Sequence, residues 1–348
     1  MNNSFRHNIA TTFANMRFPL MIGVVMIHCA IYDSGSVLME NVNRLFSVVL
    51  PVFCVPVFFF ISGYFFFANV KDFSIQIYKE KVSRRIRTLL VPYLCANLFM
   101  ILCYASIHYF APNYINPDNF NILQYSIKDF IRAFWSVGGF PICYPTWYIR
   151  NLFLIVLCSP LFYLLIKQNI KIKLSVLIIL AILRFFFDVS FMMGPIYFYI
   201  GALFSRDDVC LFIQRLNNKY VYIVLGGAAL ISGYLNFIEL DQCFVKVQRF
   251  TMSILILRLS YLLFKNKDQI NNIAWNSSFF LFLYHAFPIF IIKKILYMAF
   301  DPTDSAAFVA MYILLIISTI MICVMAYYIL NKFVPSLLSV LTGGRNRS

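Results

Sequence analysis

Arg17 and His28 stand eleven positions apart, separated by the apolar run 18–27. On a helix that spacing puts both side chains on one face, about 16 Å apart along the axis. An ionisable side chain inside lipid is costly and usually faces a cavity, so each needs a reason to be there. A guanidinium near the membrane surface can hold an anion. An imidazole deeper in the same helix can take a proton from a hydroxyl, or accept an acyl group itself. The pair could therefore join an anionic ligand at one face to chemistry within the bilayer.

A second group of cations lies in Lys71–Pro92, where Lys79, Lys81, Arg84, Arg85 and Arg87 crowd just ahead of a long apolar stretch. Arginine binds phosphate in a bidentate fashion, which suits a nucleotide-containing ligand such as coenzyme A. The plainer reading is an orienting loop that also touches anionic lipid. Phe58–Tyr64 ends in Ser62, Gly63 and Tyr64, where Gly63 allows close helix approach and Ser62 can bond across a helix interface. Trp147 and Tyr148 have the character of interfacial belt residues, and Arg150 and Asn151, one turn further in, could contact an acceptor sugar. Arg184 and Asp188 are four apart and can neutralise each other on one helix face. Arg258 has no local acid and is expected to face the bundle interior. His285, after Tyr284, is a second intramembrane titratable site, either a packing residue or a functional one; His7 and His108 read as incidental. The nine cysteines show neither CxxC pairs nor metal-like spacing with the four histidines, so no metal is expected; Cys143 and Cys243 could pair in outer loops.

The elements that must position these residues are membrane helices. The chain has 348 residues, 61% of them hydrophobic and 12% charged. A soluble domain carries about twice that charge. Apolar stretches near twenty residues recur, with no alternating strand pattern that would suggest a barrel. The expected architecture is all-α and polytopic, with about ten spans near 17–32, 45–68, 89–110, 147–166, 174–190, 191–204, 220–237, 249–264, 273–297 and 306–330. The stretches 191–204 and 249–264 are short for full spans. No small-x-small cleavage site follows the first stretch, so it reads as a retained span rather than a signal peptide. Lys and Arg concentrate in the segments on one side, 71–88 above all, while acids favour the other, which places both termini in the cytoplasm. The net charge of +15 is thus topological, and no nucleic-acid partner is expected. One membrane domain, 1–341, is expected to end in a short polar tail, 342–348. The longest connection, 111–146, could be a lid, with a helix at Ile127–Trp135 lying along the interface.

Taken in order, Arg17-x10-His28, Phe58-Phe59-x-Ile61-Ser62-Gly63-Tyr64 and Arg84-x-x-Arg87 with Leu89-Leu90-Val91-Pro92 resemble the acyltransferase-3 family of multi-span membrane proteins. Trp147-Tyr148, Tyr199-Ile200-Gly201-Ala202 and Tyr284-His285 are weaker echoes. The resemblance covers nearly the whole chain and implies transfer of an acyl group, usually acetyl, from cytoplasmic acyl-CoA to a hydroxyl of an extracytoplasmic glycan or lipid-linked sugar. It implies a protein of the bacterial cytoplasmic (inner) membrane, in contact with lipid and with no permanently bound cofactor. Many bacterial members carry an added esterase-like domain, which is not expected here. In that light Arg84, Arg87 and Arg85 would hold the CoA phosphates, Arg17 would steer the pantetheine inward, and His28 would be general base or acyl relay. Ser62 or Tyr64 could support the imidazole or an oxyanion; Trp147, Arg150, Asn151 and His285 would meet the acceptor. The competing reading is a proton-coupled transporter or flippase using His28, Arg184, Asp188 and His285; a third is a structural or sensory membrane protein. Nothing in the sequence sets the oligomeric state.

Overall fold

The computed structural model describes residues 3–31, 36–68, 70, 72–111, 122–135, 139–186, 193–206 and 218–345. Every regular element among them is helical, as hydrocarbon demands of a chain that must satisfy its own backbone groups. Among the described residues six helices are long and apolar enough to cross a membrane, or up to eight when each of two bent pairs counts as one span.

The first helix, α1 (Asn3–His28), differs from the expected 17–32 stretch at both ends. It starts far ahead of Arg17 because the polar residues there are satisfied by protein rather than water. Thr12 donates to the Asn8 carbonyl at 2.7 Å. Asn15 donates to the Asp268 carbonyl at 3.1 Å and accepts from the Ile270 amide at 2.8 Å. It stops at His28, so the histidine closes the helix instead of lying mid-span. Helix α1 packs against most of the other long helices.

Two spans carry the motif segments, and proline shapes both. In α2 (Val37–Phe67), Pro51 cannot donate to the carbonyl four residues back. The preceding turn widens, with the Leu50 amide bonded to the Leu45 carbonyl, five residues away. In α3 (Ile75–Phe110), Pro92 does the same, and the Val91 amide reaches back to Ile86. The cations of 79–87 are thereby part of a continuous helix, capped by Ser74, whose hydroxyl accepts from the Ile77 amide.

Helix α4 (Ile127–Trp135) occupies the range expected of it. The expected fourth span breaks into α5 (Trp147–Leu157) and α6 (Ser159–Ile166), bent by 62°, with Pro160 at the start of the second piece. Next come α7 (Ile170–Phe186) and the twelve-residue α8 (Met193–Phe204). At 1.5 Å per residue α8 is about 18 Å long, short of a hydrocarbon core. Helices α9 (Lys219–Phe237) and α10 (Gln242–Phe264) pack on each other, and α10, at 23 residues, is longer than the 249–264 stretch suggested. The expected ninth span breaks at His285 into α11 (Ser278–Tyr284) and α12 (Ala286–Ala299), again bent by 62°. Pro288, which cannot donate to the Tyr284 carbonyl, accounts for that break. The fold ends with α13 (Ser305–Phe333) and α14 (Pro335–Thr342). Exposed apolar residues such as Leu230, Ile231 and Met321 cover the periphery, as a lipid-facing surface would.

The two short motifs with glycine turn out to be one contact. A Cβ on Gly63 would stand 2.0 Å from the Phe198 carbonyl oxygen, and one on Gly201 would stand 1.9 Å from that of Phe60. Helices α2 and α8 therefore cross with backbones touching, which only glycine permits.

Candidate active site

Arg17 lies in a buried stretch of α1, where Met16, Phe18 and Leu20 are 2, 9 and 3% exposed. Arg17 itself is exposed. Its guanidinium lies 5.9 Å from the Phe65 ring and feels the Tyr148 hydroxyl. Arg17 is thus an accessible cation flanked by buried Met16 and Phe18. Arg85, from the end of the basic turn of α3, faces the same place: it is half-buried and feels Tyr148 and Arg17. Arg84 and Arg87 are exposed on that turn, with Arg84 close enough to act on Arg85. Of the three arginines singled out in sequence, Arg85 is the one drawn against Arg17.

Tyr148 sets the wall between them. Its hydroxyl and that of Ser62 are 3.0 Å apart, and Ser62 also donates to the Phe58 carbonyl at 2.8 Å. Tyr64, two residues on, is buried and edge-on to Phe13 at 5.1 Å.

The rings of His28 and His285 lie 5.3 Å apart. His285 is fully buried, whereas His28 keeps some accessible surface. Tyr144 covers His28 edge-on at 4.8 Å. His285 Nδ1 is 2.9 Å from the Leu281 carbonyl and 3.0 Å from the Phe282 carbonyl. A carbonyl only accepts, so Nδ1 carries the hydrogen, and in the neutral ring Nε2 is left as a bare acceptor. That Nε2 is buried with no hydrogen-bond partner. His285 is thus neither a satisfied packing residue nor a fully solvated one; half of it is fixed and half is open. Phe279, Phe282 and His285, three residues apart, form one wall: Phe279 stacks on Phe282, and Phe282 lies 5.6 Å from Tyr148 and 6.4 Å from His285.

Residues 141–146 do not form the outer loop expected before Trp147. They run through the protein interior, with Ile142, Cys143 and Thr146 at 4, 1 and 0% exposed. Asn97 on α3 holds them there, accepting from the Cys143 amide at 3.0 Å and donating to Thr146 Oγ1 at 3.1 Å. Trp147 packs against Phe59 at 6.4 Å. Arg150 and Asn151 are buried, and Arg150 donates to the Gly139 carbonyl at 3.0 Å and to Asn151 Oδ1 at 3.3 Å. Cys143 and Cys243 are both free thiols; Cys143 Sγ points at the Leu283 carbonyl, 3.5 Å away. No group of three or more His, Cys, Asp or Glu side chains that could hold a metal occurs among the described residues.

Arginines thus lie on one side of Tyr148, and Tyr148 is linked through Phe282 to the imidazole pair. The acyltransferase domain description matches residues 13–328 of the chain. The chain belongs to the acyltransferase-3 family. The match runs from ahead of Arg17 into the last turns of α13, and so contains Arg17, Arg85 and both histidines of the pair. Among curated proteins, the succinoglycan biosynthesis protein ExoH of Rhizobium meliloti (strain 1021) is 27% identical over 186 residues, covering 51% of this chain. The chain spans about half, 48%, of the length of that relative. No solved structure matches. In this acyltransferase-3 protein the structure adds Tyr144 and Phe282 to the residues around the imidazole pair. Tyr144 gave no sequence signal, because nothing local shows that 141–146 turns inward. The three-residue spacing of Phe279, Phe282 and His285 was a usable one. Arg184 lies in the last turn of α7, and Asp188, its expected partner, falls outside the described residues. Arg258 stacks at 5.4 Å on Tyr222 of the neighbouring helix α9.

Proposed function

We propose that this protein is a membrane O-acyltransferase that moves an acyl group from cytoplasmic acyl-CoA to a hydroxyl of an extracytoplasmic glycan or lipid-linked sugar. Ten spans, with both termini in the cytoplasm of a bacterium and the chain in its inner membrane, go with that reading. The observation that carries it is the imidazole pair: two histidines at the ends of different helices face each other, one with an unpartnered acceptor nitrogen, at the far end of a cleft that begins in arginines with no carboxylate partner among the described residues. The relative's role in succinoglycan biosynthesis supports a glycan acceptor, and family membership supports acyl transfer.

The donor's phosphates sit against Arg85, with Arg84 and Arg87 on the outer side and Arg17 at the start of the descent. Its pantetheine follows α1 for about 16 Å toward His28, a length such an arm covers when extended. As general base, His28 takes the proton of the acceptor hydroxyl while the oxygen attacks the thioester carbonyl. The tetrahedral centre collapses, the carbon–sulfur bond breaks, and the thiolate leaves with the proton from the imidazolium. As relay, the imidazole nitrogen attacks the thioester, the carbon–sulfur bond breaks and the CoA thiolate leaves with the ring's proton; the acceptor oxygen then attacks the acyl-imidazole, the acyl–nitrogen bond breaks and the hydroxyl proton passes to the freed ring nitrogen. In both, His285 Nε2 can share the proton. The Ser62–Tyr148 hydroxyl pair lies along the route and Tyr64 backs it; Trp147, Arg150 and Asn151 hold the inward segment on the acceptor side.

Inverted membrane vesicles containing the protein, supplied with labelled acetyl-CoA and a glycan-lipid extract, test this directly. Label should move to the extract with release of free CoA, and the His28→Ala variant should do neither. Release that persists in folded His28→Ala overturns the assignment; a wild type inert toward both acetyl-CoA and succinyl-CoA overturns the donor.

A further inference from the structure

Helix α14 ends in a tight reversal. The Gly344 amide donates to the Ser339 carbonyl at 2.7 Å and the Gly343 amide to that of Val340 at 3.2 Å, the paired bonds of a Schellman turn. Gly343 has φ 65° and Gly344 φ 78°, values that favour glycine at both positions. The turn is also docked. A Cβ on Gly343 would stand 2.6 Å from Thr88 Cα and 2.9 Å from the Arg87 carbonyl oxygen, so it lies flat on the widened turn that follows Arg85. The polar tail expected from 342 onward is therefore packed structure through residue 345, with Thr342 only 2% exposed.

What the turn delivers is Arg345. Its guanidinium carbon lies 3.5 Å above the Phe279 ring, at the end of the Phe279–Phe282–His285 wall. There it feels the charges of Arg85 and Arg17 and the Tyr148 hydroxyl, while burial and those two cations hold it below the ordinary arginine range. The residue is nonetheless exposed, as a group lining a cleft should be. Among the described residues none of these three arginines has a carboxylate partner; the ion pairs nearest in kind, Arg44–Glu239 and Arg132–Asp129, involve other residues. Three guanidiniums held together without a counter-charge repel one another and are costly to enclose. A multiply charged anion supplies the missing charge, and arginine forks suit phosphate oxygens.

We infer that Arg345 is a third arginine of the donor site, closing with Arg17 and Arg85 around the phosphate groups of acyl-CoA. This rests on the acyl-CoA reading above. The ring of Phe279 fixes the plane of the guanidinium, and the two glycines fix where its backbone begins. Gly343-Gly344-Arg345 is then a built part of the binding site contributed from beyond the last long helix.

The test compares two donors on the full-length protein in nanodiscs: acetyl-CoA, and acetyl-pantetheine, which keeps the thioester and lacks the phosphates. Wild type should prefer acetyl-CoA. In Arg345→Gln that preference should fall about tenfold or more, through KM rather than kcat, as expected for losing a charge-assisted bond. Arg345→Lys should recover part of it. Gly343→Val, which displaces the turn without touching the charge, should behave like Arg345→Gln; melting curves on each variant establish that it is folded. A folded Arg345→Gln protein with wild-type preference, or with equal losses for both donors, overturns the inference. If wild type uses neither donor, the acyl-CoA reading itself fails. Arg345-dependent binding to phosphatidylglycerol vesicles that CoA does not displace would assign the site to a lipid headgroup and overturn the inference too.

Discussion

His28 and His285 meet at 5.3 Å with their ring planes 31° apart, and each stands at a helix end. His28 closes α1; His285 sits at the 62° break between α11 and α12. A helix end frees backbone carbonyls and leaves room for a second ring, which two uninterrupted helices would not provide. The imidazole pair is thus a product of two chain breaks.

The pair should act as a unit. His28→Ala and His285→Ala should each lower kcat by about 100-fold or more, and the double variant should be little worse than the more damaged single one. Single-turnover acyl transfer on the three variants measures this; fully additive losses would show two independent roles.

Within the basic turn the arginines should separate. Arg85→Ala should raise KM for acyl-CoA about tenfold, while Arg84→Ala and Arg87→Ala, whose side chains are exposed, should raise it less. Steady-state titration of the donor at fixed acceptor distinguishes them, and equal effects for all three would place the phosphates outside the cleft.

Asn43 is a positioning residue for His28. Its side chain donates to the Ile31 carbonyl at 3.1 Å and accepts from the Ile31 amide at 3.3 Å, clamping the chain just past the histidine. Asn43→Leu leaves two buried backbone groups unpaired, at about 1–3 kcal/mol each. The variant should melt earlier in detergent and lose kcat with KM for donor nearly unchanged.

The glycine crossing should tolerate nothing larger. Gly63→Ala and Gly201→Ala each force a methyl into a carbonyl, and overpacking of this kind costs about 1–3 kcal/mol. Because both glycines serve one contact, separating the helices once should relieve both, so the double variant should be less destabilised than the sum. Thermal unfolding of the singles and the double checks this.

Much of this arrangement could be read from residue order. The Arg17–His28 spacing holds because both lie on one helix, and the two glycine motifs proved to be partners. What could not be read were the ends and the breaks. Helix α1 extends backward because Asn8 and Asn15 find partners near 266–270, hundreds of residues away in sequence. The inward course of 141–146 depends on partners distant in sequence, Asn97 and the Leu283 carbonyl among them. Arg345 looked like part of a solvated tail because nothing local shows that two glycines would fold back onto Arg87 and Thr88.

The buried segment 141–146 bears on more than the position of Trp147. A cleft that admits water from one face as far as His28 would, if continuous, join the compartments on either side of the membrane. Each ion leaking through would dissipate about 2.3 kcal/mol per 100 mV of membrane potential. Tyr144, edge-on over His28, and its buried neighbours Ile142 and Cys143, pinned by Asn97, would then serve as electrical insulation: the route to the histidines can be wet without being a conductor.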